Sequence, residues 1–139
     1  MSFREKSAWI TFVLILVFFG VYFTRVAAVI FAGHSARGLS TLFFVLVGSL
    51  IGLEVVLHLA LAVQSPREAR TPKDERERLI ELRATRIAFP VLLVGAFAAI
   101  GMLHLPAGRW EMAQAVLFAI VVAELVRFGA QIVYFRRDA

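Results

Sequence analysis

The chain has 139 residues, 60% of them apolar, a mean hydropathy of +0.82, a formal charge of +5 and no cysteine. A soluble domain of this size has too little interior to hide so much apolar side chain. Without cysteine there is no disulfide framework, thiolate metal site or cysteine nucleophile. The basic residues flank apolar runs of membrane-spanning length, so the high pI does not point to nucleic acid.

A short head with Arg4 and Lys6 precedes the first apolar run. Nothing from Ala8 to Phe23 is charged, and after Arg25 the apolar character resumes up to Gly33. About 20 helical residues cross a hydrocarbon core of ~30 Å, which predicts a first span over residues 8–31. The run is too long for a signal-peptide core and no small-x-small cleavage site ends it, so it is read as a retained span. The turn-like stretch His34 to Gly38 leads into a second span over 39–63, stopped by Gln64-Ser65-Pro66. A third span is expected over 87–105, closed by Pro106-Ala107-Gly108, and a fourth over 112–135, stopped by Arg136, Arg137 and Asp138. The short connections after the first and third spans make two antiparallel hairpins. The expected fold is thus all-α: a single transmembrane domain of four helices over residues 1–139.

The segment between the hairpins carries a helix start, with Thr71 as N-cap, Pro72 at the first helical position and Asp74 at the third. It predicts an amphipathic helix over 72–86, in which Asp74 and Arg78 share a face while Leu79, Ile80 and Leu82 form an apolar edge. No glycine interrupts the chain before Pro90. The helix should therefore run on into the third span and bend near that proline. Its simpler role is a solvated extension. The sharper role is contact with a partner, or with anionic lipid headgroups along 67–86.

Lys and Arg number two in the head, seven in the 64–86 loop and two in the tail. The other side has Arg37, Arg109 and, near it, Arg25. The richer side is the cytoplasmic one by the positive-inside rule, which places both termini in the cytoplasm. Trp9, Trp110, Tyr22 and Tyr134 suit the aromatic belts.

The run Asp74-Glu-Arg-Glu-Arg-Leu-Ile80-Glu-Leu-Arg-Ala84 leads directly into the third span. It resembles the D-E-R-E-x-x-I-x-x-[KR]-[AS] motif of a family of small, uncharacterised prokaryotic membrane proteins with four spans. The resemblance covers the motif and the four-span layout. It implies a multi-pass protein of a prokaryotic plasma (inner) membrane and supplies no activity.

Ionisable side chains inside a span cost about 2.5–3.5 kcal/mol each on insertion scales, so each needs a reason. Counting along the helices at 1.5 Å per residue puts Glu54 and Arg127 at one depth and His58 and Gln131 at another. Glu124 joins Arg127 and Gln131 on one face of the fourth span. If the second and fourth spans face each other, Glu54, His58, Glu124, Arg127 and Gln131 form one polar cluster. It would act either as interhelical bonds, Glu54 to Arg127 and Glu124 to His58, or as a relay or pocket. His34 and His104 are weak metal candidates at span ends, and no metal or cofactor is expected. Small residues at helix-packing spacing, Gly48 and Gly52, Gly95 and Ala99, and Ala115, Ala119 and Ala123, allow close backbone approach. Packing within the chain is the default for them, and Gly48 with Gly52 as a dimer face is the alternative.

The chain contains no nucleotide-binding, nucleophile-elbow or zinc-protease signature. The reading that follows is an accessory, structural or partner-binding membrane protein, with no enzyme activity expected. A small oligomeric channel, transporter or proton-coupled binding protein is the alternative, and a membrane-embedded redox protein or enzyme ranks third. The partners expected are the bilayer and either further copies of the chain or a larger membrane complex.

Overall fold

The computed structural model describes residues 2–137; Asp138, part of the expected stop, lies outside the described residues. The protein is all-helical, and four of its helices are long and apolar enough to cross a membrane.

Helix α1 spans Phe3–Phe31. It starts before the apolar run because the Ser2 side chain caps it, accepting from the Glu5 amide at 3.2 Å. It ends in a Schellman motif: Gly33 takes φ +76°, its amide bonds the Ile30 carbonyl, and the His34 amide reaches Val29. A 3-10 turn over Ala36–Leu39 leads into α2, Ser40–Gln64. Pro66 then starts a short helix, α3, over Pro66–Arg70, which the sequence reading did not foresee.

The next helix, α4, covers Glu75–Gly101. Its start differs from the expected one. Asp74 is the N-cap and forms a capping box with Glu77, while the Thr71 hydroxyl turns back to the Arg67 carbonyl at 2.8 Å and closes α3. The reciprocal Asp74–Glu77 pair satisfies two amides, where Thr71 with Pro72 offers one acceptor. From Glu75 the helix runs without interruption through Pro90 into the third span. A 3-10 turn at Met102–His104 precedes the final helix, α5, Arg109–Arg137.

The hairpins α1/α2 and α4/α5 join through α1 and α5, so the helices stand in the order α2, α1, α5, α4. The start of α1, the end of α5 and residues 65–86 lie at one end of the bundle, its basic side. The α4/α5 contact is the tightest: a Cβ added to Gly95 would lie 2.5 Å from Ala119 Cβ and 3.2 Å from its Cα. Ala99, Ala119 and Ala123 are buried around this crossing. Gly48 and Gly52, by contrast, have nothing within 4 Å of an added Cβ. On α2 only Leu50 and Leu61 are buried among the described residues.

Tyr22 is a correction to the aromatic-belt reading. It is 1% exposed and its hydroxyl donates to Gln114 Oε1 at 2.9 Å, bonding α1 to α5. The phenol sits among Phe19, Phe23 and Phe43, and a buried hydroxyl needs such a partner.

Candidate functional site

The helix–helix registers set the depth of each polar group. Ser7 meets His58 and Thr11 meets Glu54 across α1 and α2. Gly95 meets Ala119 across α4 and α5; eight residues further towards the basic side, Arg127 stands level with Ile87, next to Arg86. Phe12 touches the Gly129 position, tying α1 to α5. With Glu5 paired to Arg136 as well, Thr11 and Glu54 stand level with Ala130 and Gln131, while Arg127 lies about one turn further from the basic side. The depth expected from the sequence, Glu54 level with Arg127, is offset by about one turn in these contacts.

The expected pairing is not formed either. Helix α1 stands between α2 and α5, so Glu54 does not bond Arg127, nor Glu124 His58. Thr11 donates to Glu54 Oε1 at 2.8 Å. His58 Nδ1–H donates to the Glu54 carbonyl at 2.8 Å, since a carbonyl oxygen can only accept. In the neutral ring Nε2 is then the acceptor, and Ser7 Oγ donates to it at 2.9 Å. On α5, Arg127 Nη2 pairs with Glu124 Oε2 at 2.7 Å one turn away, and the guanidinium lies 4.6 Å from the Phe128 ring centroid. The five residues thus form two groups on opposite sides of α1. Ser7 and Thr11 were missed, although a signal existed: they lie four apart on α1 as Glu54 and His58 do on α2, a complementary pair for antiparallel helices.

Ser7 also borders the second group. On the basic side α1, α5 and the start of α4 border a half-open cavity of about 190 Å³ lined by Arg4, Lys73, Glu77, Glu81, Arg127 and Gln131. Lys73 Nζ lies 2.7 Å from Glu81 Oε2, and Arg4 Nε lies 3.8 Å from Glu77 Oε2. Arg127 Nε is buried and has no hydrogen-bond partner. Nearby, Glu5 is 8% exposed, with Arg136 Nε 3.6 Å from its carboxylate.

Beyond Glu124, up to the last few residues at the opposite helix ends, Arg25 is the only charged side chain among the described residues, and it is exposed. His34 and His104 are both exposed near those ends. Among the described residues no three of His, Cys, Asp and Glu gather in metal-binding fashion.

Among known families, one described as predicted membrane protein (DUF2178) matches residues 4–139. The chain belongs to this family, which fits a membrane protein with four candidate spans. No curated protein and no solved structure matches it.

Proposed function

We propose that this member of a family of predicted membrane proteins is a non-catalytic, self-associating accessory protein of a prokaryotic inner membrane. Its termini and the 65–86 segment face the cytoplasm, as the excess of Lys and Arg on that side favours. Arg127 then sits at the cytoplasmic edge of the hydrocarbon, with Glu54 about one turn further towards the cytoplasm. Eighteen residues separate Arg127 from Arg109, about 27 Å of helix, close to the thickness of a bilayer core.

One observation carries the reading: the acid and the imidazole of α2 are bonded within the chain, to Thr11, Ser7 and the Glu54 carbonyl. A transport role would ask those groups to exchange partners and to continue across the bilayer. Further along the bilayer the only charged side chains among the described residues are Glu124 and Arg127, paired with each other on the far side of α1, and the exposed Arg25. Their bonds set the α1/α2 register instead, the usual use of polar groups between membrane helices.

The work is then left to the outer faces. Helix α2 leaves Gly48 and Gly52 open. Close packing at glycines four apart suits two parallel helices. A second copy in the same orientation presents α2 parallel to α2 about a two-fold axis along the membrane normal. The cysteine-free sequence makes the test direct: single cysteines replace Gly52 or Val56 on α2, or Phe97 on α4 as the control, and membranes are oxidised. Disulfide-linked dimer at the α2 positions and little at Phe97 is expected. Equal linkage at all three positions, or none on α2, overturns the reading.

A further inference from the structure

The cavity on the basic side is unlike the other polar contacts of the molecule. Three cations, Arg4, Lys73 and Arg127, and two acids, Glu77 and Glu81, converge on about 190 Å³, several times the room one water needs. The charges are unevenly satisfied. Lys73 and Glu81 are in close contact, Arg4 and Glu77 are at the limit of an ion pair, and the partner of Arg127, Glu124, does not line the cavity. The Arg127 side chain is 35% exposed, so Glu124 and the Phe128 ring cover its guanidinium only in part. Ser7, Gln131, Phe128 and Phe135 complete the wall, giving it neutral hydrogen-bonding groups and two aromatic faces.

We infer that this cavity binds a phosphodiester carrying a primary amine, the chemistry of an ethanolamine phospholipid headgroup. The phosphate answers to Arg127 and Arg4, since guanidinium groups match phosphate oxygens in geometry as well as charge. The ammonium answers to Glu77 and Glu81, each of which gives up part of an ion pair for it. A doubly charged phosphate monoester is a poorer match, because the two carboxylates repel the second negative charge. The place in the fold agrees. The cavity runs from Arg127, near the edge of the apolar spans, outward along the charged start of α4 to Glu77 and Lys73, and a headgroup zone lies just outside such an edge. The site does not depend on self-association through α2, which lies on the far side of α1.

The test uses delipidated full-length protein in detergent, with bound ligand counted by native mass spectrometry. Phosphatidylethanolamine, phosphatidylcholine and soluble glycerophosphoethanolamine are offered separately. The primary amine should favour phosphatidylethanolamine over phosphatidylcholine by about tenfold, the value of one charge-assisted hydrogen bond. Arg127→Gln should lose retention of both lipids, and Glu81→Gln should abolish the preference while keeping a lipid bound. Arg76→Gln, an exposed cation outside the cavity, should behave as wild type. Tighter binding of the soluble ester than of the lipid supports the same chemistry and places its source in the cytoplasm. Equal retention of the two lipids by wild type, retention unchanged in Arg127→Gln, or no binding of any of the three overturns the inference.

Discussion

The α4/α5 crossing makes a sharp prediction because one glycine sits where a single carbon has no room. In Gly95→Ala the new Cβ falls 2.5 Å from Ala119 Cβ and 3.2 Å from Ala119 Cα. Ordinary carbon contacts lie near 3.5–4.0 Å, so the helices must part by about 1 Å. Ala119 has no flexible end to move aside, and its Cα is backbone. Overpacking of this kind costs about 1–3 kcal/mol, and separation also loosens the contacts of Ala99 and Ala123. Gly48→Ala and Gly52→Ala meet nothing within 4 Å and should change the monomer by less than about 0.5 kcal/mol. The assay is reversible unfolding in mixed micelles, followed by tryptophan fluorescence at protein concentrations low enough to keep the chain monomeric. A Gly95→Ala protein as stable as wild type would refute the packing account, as would a loss at Gly48 as large as that at Gly95.

Thr11→Val and Glu54→Gln, combined in a double-mutant cycle, should show a coupling of about 0.6 to 1.7 kcal/mol, the range for polar contacts between membrane helices. A coupling of zero would mean the 2.8 Å bond does not hold α1 to α2. Asp74→Ala removes the N-cap of α4 and should cost about 1 kcal/mol. It should also speed tryptic cleavage at Arg76 and Arg78, while Thr71→Ala leaves those sites protected. Tyr22→Phe strands the Gln114 amide oxygen and should lower stability by about 0.5–1.5 kcal/mol in the same unfolding assay.

Much of this fold was legible because helix geometry is one-dimensional. Apolar length marked the four spans, and a constant rise per residue put Glu54 within about one turn of Arg127 in depth without knowledge of either partner. The lateral order of the helices was not legible in the same way. Short connections tie α1 to α2 and α4 to α5, but the segment 65–74 is long enough to bring either helix of the first hairpin against α5. The choice of α1 rests on specific contacts: Tyr22 with Gln114, Phe12 against Gly129 and Glu5 with Arg136. Two of those partners, Tyr22 and Phe12, look like ordinary membrane aromatics in the sequence.

The same limit explains the polar residues. Attention to costly groups found Glu54 and His58 but not Ser7 and Thr11, which cost little: Ser7 falls in the head and Thr11 reads as an ordinary span hydroxyl. The cavity was harder still. It draws on Arg4 from the head, Lys73 from the linker and Arg127 from the last helix, which only the closing of α1, α4 and α5 brings together. Thr71 as a helix start failed for a local reason. Asp74 with Glu77 offers the reciprocal cap, and the Thr71 hydroxyl is engaged one turn back.

The claim that the α2 polar groups serve packing rather than transport is tested most directly by reconstitution. Purified protein in sealed liposomes, with an imposed proton or potassium gradient, should show no flux above protein-free vesicles. Glu54→Gln and Arg127→Gln should leave that result unchanged. A flux that depends on the protein and disappears with Glu54→Gln would contradict the account and make the Glu54–His58 pair part of a conduction path.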